Sequence, residues 1–250
     1  LKIGFFEEYP SSITLSRVSL LIPSTPLILA APSLKDFLYW EERIHRVRKN
    51  IPCIYWPLLK IEEGYWFSAF SNFQSMKKKL EEIKNFHSAK KIPLFLDLEL
   101  PLLTLGRFFF LPSLPKTKRL LSEFILSYEG EVITGEIPFL PLVVREKLGL
   151  HFPPTLYKNK ILEMLYSSIL PFWMIKQLAY RHFSLWKENL KIGLGCISRG
   201  ITGMERVISP AELERDLKLC RKIGVREVFI YRLEGLEGEY IKILKKFWRG

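Results

Sequence analysis

A (β/α)8 barrel is the fold class this sequence predicts, on three observations. The chain has 250 residues, the usual length of that barrel. Short β-branched or aromatic runs alternate with amphipathic stretches eight times along it. The first strand-to-helix turn lacks the glycine-rich pattern of a doubly wound open sheet. No Pro-, Gly- or Ser-rich linker interrupts the alternation, so residues 1–250 read as a single domain. A chain of this length buries roughly 70–75% of its unfolded surface, so its core needs no disulfide or metal staple.

The elements follow in order. Lys2–Phe6 is the first strand, and Ser11–Leu21 the amphipathic stretch after it. Pro26–Ala30 is the second strand, followed by a helix over Leu34–Lys49 with Ser33 as its N-cap. Ile51–Trp56 is the third, then an aromatic loop and a helix over Asn72–Phe86. Ile92–Leu98 is the fourth, before a long Pro-rich loop and a helix over about Lys116–Ser127. Glu131–Gly135 is the fifth, with a short helix near Leu142–Leu148. Ile161–Tyr166 is the sixth, although Ile161–Leu170 reads equally as the start of a helix, and Phe172–Glu188 follows. Lys191–Cys196 is the seventh. Its helix carries the clearest signals: Ser209 as N-cap, Pro210 in the first turn, Glu212 to complete a capping box, and Gly224 to stop it. Glu227–Tyr231 is the eighth strand, and Glu239–Trp248 the last helix.

Composition excludes several classes. With 48% hydrophobic residues the chain is not disordered. Thirty-eight Lys+Arg against 26 Asp+Glu give a net charge of +12. The lysines fall in helix-like stretches such as Lys77–Lys79 and Lys245–Lys246, which read as solvated faces. No zinc finger, RNP strand or helix-turn-helix is present, so nucleic acid is not a predicted partner. Cys53, Cys196 and Cys220 are far apart and odd in number, with no CxxC and no Cys/His cluster. Neither a disulfide framework nor a zinc site is expected, and the pattern suits a reducing, cytoplasmic compartment. No secretory signal is visible; Leu1 is not Met, which leaves open a start residue or leader ahead of it. No window reaches the roughly 20 apolar residues of a membrane span. The Lys- and Ile/Leu-rich composition is compatible with a thermophile.

In such a barrel the chemistry sits at the C-terminal strand ends. A buried carboxylate there is costly without a task or a partner, so the strand-end acids are the candidates. The first strand ends Phe6-Glu7-Glu8-Tyr9. Alternation turns one of Glu7 and Glu8 into the barrel mouth, and the pattern does not say which. The third ends at Trp56, and its loop carries Tyr65 and Trp66; with Tyr9 these rings suit stacking on a sugar or packing into the core. In Leu94-Phe95-Leu96-Asp97-Leu98-Glu99, Asp97 and Glu99 share a strand face, the interior one if Phe95 is interior. Adjacent carboxylates repel, which raises the pKa of one and keeps a general acid protonated near neutral pH. Glu136 ends the fifth strand among apolar neighbours. Tyr166 ends the sixth, where its hydroxyl could orient a substrate. The eighth ends Tyr231-Arg232-Leu233-Glu234, and Arg232 and Glu234 share a face as substrate contacts or as an ion pair closing the rim. Gly193 and Gly195 on the seventh, with Arg199, fit a phosphate loop or a close strand contact.

The chain has no HExxH, GxSxG or Walker A sequence. His45, His87, His151 and His182 fall in helices or loops rather than at strand ends, which argues against a His-based metal site or a Ser-His-Asp triad. No cofactor is implied.

The Asp97-Leu98-Glu99 ending of the fourth strand, with Met164-Leu165-Tyr166 on the sixth, resembles the family 18 glycoside hydrolases, the chitinases and their relatives. The resemblance covers about ten residues. It implies a (β/α)8 barrel with Glu99 as general acid, Asp97 as its electrostatic partner and Tyr166 as substrate orienter. The chain departs from that family at Ile92, Pro93 and Leu94, where earlier acids would stand, and at Ser167, where an acid usually follows the Tyr. Arg232 and Glu234 occupy the region of its terminal-strand Trp.

The expected function is therefore that of a carbohydrate-active enzyme, a glycoside hydrolase with a carbohydrate substrate. Glu99 would be its acid, and Glu136, Glu7 or Glu8 its nucleophile or base. One rival is a metal-dependent or phosphosugar isomerase or lyase, with Asp97, Glu99, Glu136 and Glu234 as an oxygen cage. Another is a non-enzymatic protein that docks on a membrane surface or an oligomeric partner through the apolar segments 102–115 and 172–186.

Overall fold

The structure, a computed structural model, describes residues 1–86, 91–99, 112–200 and 205–248. Eight parallel strands close into a barrel in sequence order, β1 to β8. They are β1 (Lys2–Glu7), β2 (Leu27–Ala31), β3 (Cys53–Pro57), β4 (Leu94–Asp97), β5 (Val132–Glu136), β6 (Lys160–Met164), β7 (Leu190–Cys196) and β8 (Glu227–Tyr231). The helices between and after them are α1 (Ser12–Val18), α2 (Leu34–Val47), α3 (Phe73–Asn85), α4 (Leu114–Ser127), α5 (Leu142–Lys147), α6 (Pro154–Tyr157), α7 (Phe172–Trp186), α8 (Pro210–Ile223) and α9 (Gly238–Trp248). Every expected strand is present, and the sixth is a strand rather than the start of a helix. Proline delays β4: Pro93 lacks an N–H, and the ladder begins at Leu94. The short α6, opened by Pro154, was not signalled by the periodicity.

The strands are buried on both faces, as a barrel wrapped in helices requires. Two compact units are distinguished. One comprises Leu1–Leu29, Tyr39–Cys53 and the chain from Leu162 on; the other comprises Ala30–Leu38 and Ile54–Ile161.

Local signals explain the sharpest boundaries. At α8 the Ser209 hydroxyl accepts from the Glu212 N–H at 3.3 Å, and the Glu212 carboxylate accepts from the Ser209 N–H at 2.9 Å. Gly224 ends that helix at φ +96°, where a side chain would be strained. Helix α7 buries Ile175, Ala179, His182 and Trp186 as one stripe and leaves Trp173, Tyr180 and Leu185 exposed. One face of the 172–186 segment is thus core. Residues 102–111 of the other apolar segment lie outside the described residues. Among the described residues no helix is long and apolar enough to cross a membrane.

Candidate active site

Contacts within the unit that holds β3, β4 and β5 assign their faces. Tyr55 packs on Phe37 of α2, with ring centroids 4.9 Å apart, so that face of β3 looks at the helices. Trp56 takes the opposite face and meets Phe95 edge-on at 5.5 Å. A Cβ on Gly135 would fall 2.4 Å from the Phe95 ring and 3.4 Å from Asp97 Oδ1. Phe95, Asp97 and Gly135 therefore share the interior face with Trp56, and Asp97 is buried there. The missing side chain of Gly135 is what makes room for the Phe95 ring. Glu99 lies two residues beyond the end of β4 and is half-buried. In the aromatic loop Trp66 is buried, and Tyr65 is half-buried with its ring edge-on to Trp66.

Glu136 faces the other way. Its carboxylate is fully buried and accepts from Arg145 Nη1 of α5 at 3.1 Å. His151 Nδ1 lies 2.7 Å from the same oxygen, and the Thr134 hydroxyl 3.2 Å from the other. Asn159 Nδ2 donates to that hydroxyl at 2.9 Å. This network, on the helix side of β5, compensates a charge whose burial would otherwise cost several kcal/mol. Arg145 and His151 escaped the sequence reading because their spacing from Glu136 follows no helical or strand period.

The unit that holds β1, β7, β8 and β6 from Leu162 on separates Glu7 from Glu8. Phe6 packs against Phe229 and Tyr231, and Tyr231 against Tyr166. The Tyr231 hydroxyl donates to Glu8 Oε2 at 2.6 Å, which places Glu8 with these interior rings. Burial, and the negative charge of Glu8 beside it, raise the Tyr231 pKa and keep the phenol protonated. Glu7 turns toward the helices, where the Thr14 side chain of α1 is a hydrogen-bond partner. Its carboxylate also accepts from the Tyr9 N–H at 3.3 Å and the Glu234 N–H at 3.1 Å. Burial pushes its pKa up to about 7, against the opposing pull of Arg232. Arg232 pairs with Glu234, and its guanidinium lies 5.1 Å from the ring centre of the exposed Tyr9. An ion pair between these two is one of the two readings that the sequence offered.

The β7 glycines serve packing. A Cβ at Gly193 would fall 3.1 Å from both the Tyr166 and Leu162 side chains, and one at Gly195 would fall 2.9 Å from the Ser168 backbone nitrogen. Burial raises the Cys196 thiol to about 11, so it is protonated at neutral pH. Ser167, beside Tyr166 in sequence, donates to the buried Asp216 of α8 at 2.5 Å. Another pair that the sequence reading missed is Glu163 with His182, 3.4 Å apart and both buried; a carboxylate mid-strand and a His on the inner stripe of α7 are the signals that could have found it.

No protein-family model matches the chain, and no curated protein matches it. Solved structures do. A GH18 chitinase from Pseudoalteromonas aurantia has a TM-score of 0.59 at 10% identity, covering 98% of this chain and 99% of that one. A xylose isomerase domain protein from Planctomyces limnophilus has a TM-score of 0.56 at 12% identity, covering 99% of this chain and 94% of that one. Likeness at such identities shows the (β/α)8 fold, shared across many unrelated chemistries.

Proposed function

We propose that the chain is a carbohydrate-active barrel enzyme that hydrolyses a glycosidic bond, with Glu99 as the proton donor. The observation that carries this reading is the Asp97 carboxylate, buried on the face of β4 that also carries Phe95, whose ring meets Trp56, with Glu99 half-buried just beyond it. A negative Asp97 favours the protonated form of a nearby acid. Protonation of the leaving oxygen is the step that a glycosidase asks of that acid. Trp56 and Tyr65, in the same unit as Asp97 and Glu99, supply aromatic surface for a sugar.

Glu7 and Glu136 are assigned to structure, because both face the helices and are held by backbone N–H groups or by Arg145 and His151. The same pairing of Glu136, with that of Glu234 to Arg232, argues against an oxygen cage for a divalent ion built on these acids.

The test is turnover on a panel of oligosaccharides that includes chitin fragments, with Glu99→Gln beside the parent. A loss in kcat of about a hundredfold or more, with a smaller change in KM, is the expected result. Undiminished turnover by Glu99→Gln would remove that residue from the mechanism.

A further inference from the structure

The opposite end of β3 carries a second constellation. Glu41 and His45 stand one turn apart on α2, so they share a face of that helix. Cys53 opens β3 and lies two residues before Tyr55, on the strand face that looks at the helices. A carboxylate oxygen of Glu41, a ring nitrogen of His45 and the Cys53 sulfur all lie within 4.8 Å of one another. Among the described residues this is the one such group of His, Cys, Asp or Glu donors.

The backbone between the two elements adds an independent observation. The Ile51 carbonyl lies 2.9 Å from His45 Nε2 and 3.7 Å from Cys53 Sγ. A carbonyl can only accept, so Nε2 carries the proton and the neutral ring has its lone pair on Nδ1. Imidazoles that bind metals commonly hold their second N–H on a carbonyl in this way, which fixes tautomer and orientation.

We propose that Glu41, His45 and Cys53 bind a Zn2+ ion that clips the C-terminal half of α2 to the start of β3. Thiolate, imidazole and carboxylate together are a borderline donor set that suits Zn2+ rather than Mg2+ or Ca2+. Tetrahedral zinc with bonds of about 2.0–2.3 Å spaces its donors roughly 3.3–3.6 Å apart, within reach of donors that lie no more than 4.8 Å from one another. Three protein ligands leave the fourth position to water. Binding converts the Cys53 thiol to a thiolate and releases its proton to solvent, so affinity rises with pH. The N-terminal ends of barrel strands are the stability face rather than the catalytic one, so the effect to read on binding is stabilisation of the fold. The inference is independent of the proposed glycosidase reading.

The experiment is Zn2+ titration of the chelator-stripped chain at micromolar concentration, followed by calorimetry and by melting temperature. One equivalent should bind and raise the melting temperature. Cys53→Ser and His45→Ala should each weaken binding at least tenfold. Co2+ added to the parent chain should give a near-ultraviolet thiolate charge-transfer band, absent in Cys53→Ser. That band keeps the test decisive even where a substitution destabilises the fold. No stoichiometric Zn2+, no Co2+–thiolate band, or binding indifferent to both substitutions would overturn the site.

Discussion

Glu7 is a carboxylate whose burial has a measurable cost. Its pKa is raised from 4.5 to about 7, so the folded chain holds a proton there that the unfolded chain releases. The contribution of Glu7 is therefore fully present below pH 4.5, falls as pH rises toward about 7, and is level above that. The interval corresponds to up to about 3 kcal/mol. Unfolding free energies measured across it should lose more stability in the parent chain than in Glu7→Gln; equal slopes would refute the assignment. Glu8, next in sequence, has a different environment, and here the limit of sequence reasoning is plain. Strand alternation says that adjacent residues take opposite faces; only the Tyr231 hydroxyl and the Thr14 side chain say which takes which. Glu136 shows the same limit. As a strand-end acid among apolar residues it reads like Asp97, and its partners Arg145 and His151 come from later turns of chain that no local pattern ties to it.

At the scale of elements the sequence says most. Period-2 runs, amphipathic stretches and turn residues place all eight strands, because each signal is local and each acts on the residues that carry it. Helix α8 is the clearest case: cap, proline, box and terminal glycine are all local signals in the sequence and all present in the structure. Ser209→Ala should remove the N-cap acceptor and lower the unfolding free energy by about 1 kcal/mol, measured by denaturant titration at neutral pH. A change within a few tenths of that of an exposed Ser→Ala elsewhere would mean that the cap adds nothing. Glu212, held by Arg206 and by the Ser209 N–H, has its pKa lowered to about 2. Its support for the helix is present above pH 4.5 and fades as pH falls toward 2. The short α6 and the exact start of β4 were less readable, since prolines set both through what they forbid rather than what they favour.

Over the whole molecule, the charge of +12 would act on the approach of the proposed substrate. Salt screens long-range attraction within roughly 10 Å at 0.1 M. If the proposed substrate is a neutral oligosaccharide, kcat/KM should change less than about twofold between low and moderate salt, whereas an acidic sugar should lose much of its rate advantage. A steep salt dependence on the best substrate would redirect the search to anionic glycans. The closure of the barrel has a further consequence, for biosynthesis. β1 finds one of its two neighbours in β8, the last of the eight barrel strands to be translated. Until residues 227–231 have emerged, the nascent chain carries the β1 side that β8 will cover as an unpaired edge, open to pairing with a neighbouring polypeptide. Each ribosome thus passes through an interval in which the chain is vulnerable to association, and that interval ends when the eighth strand seals the ring.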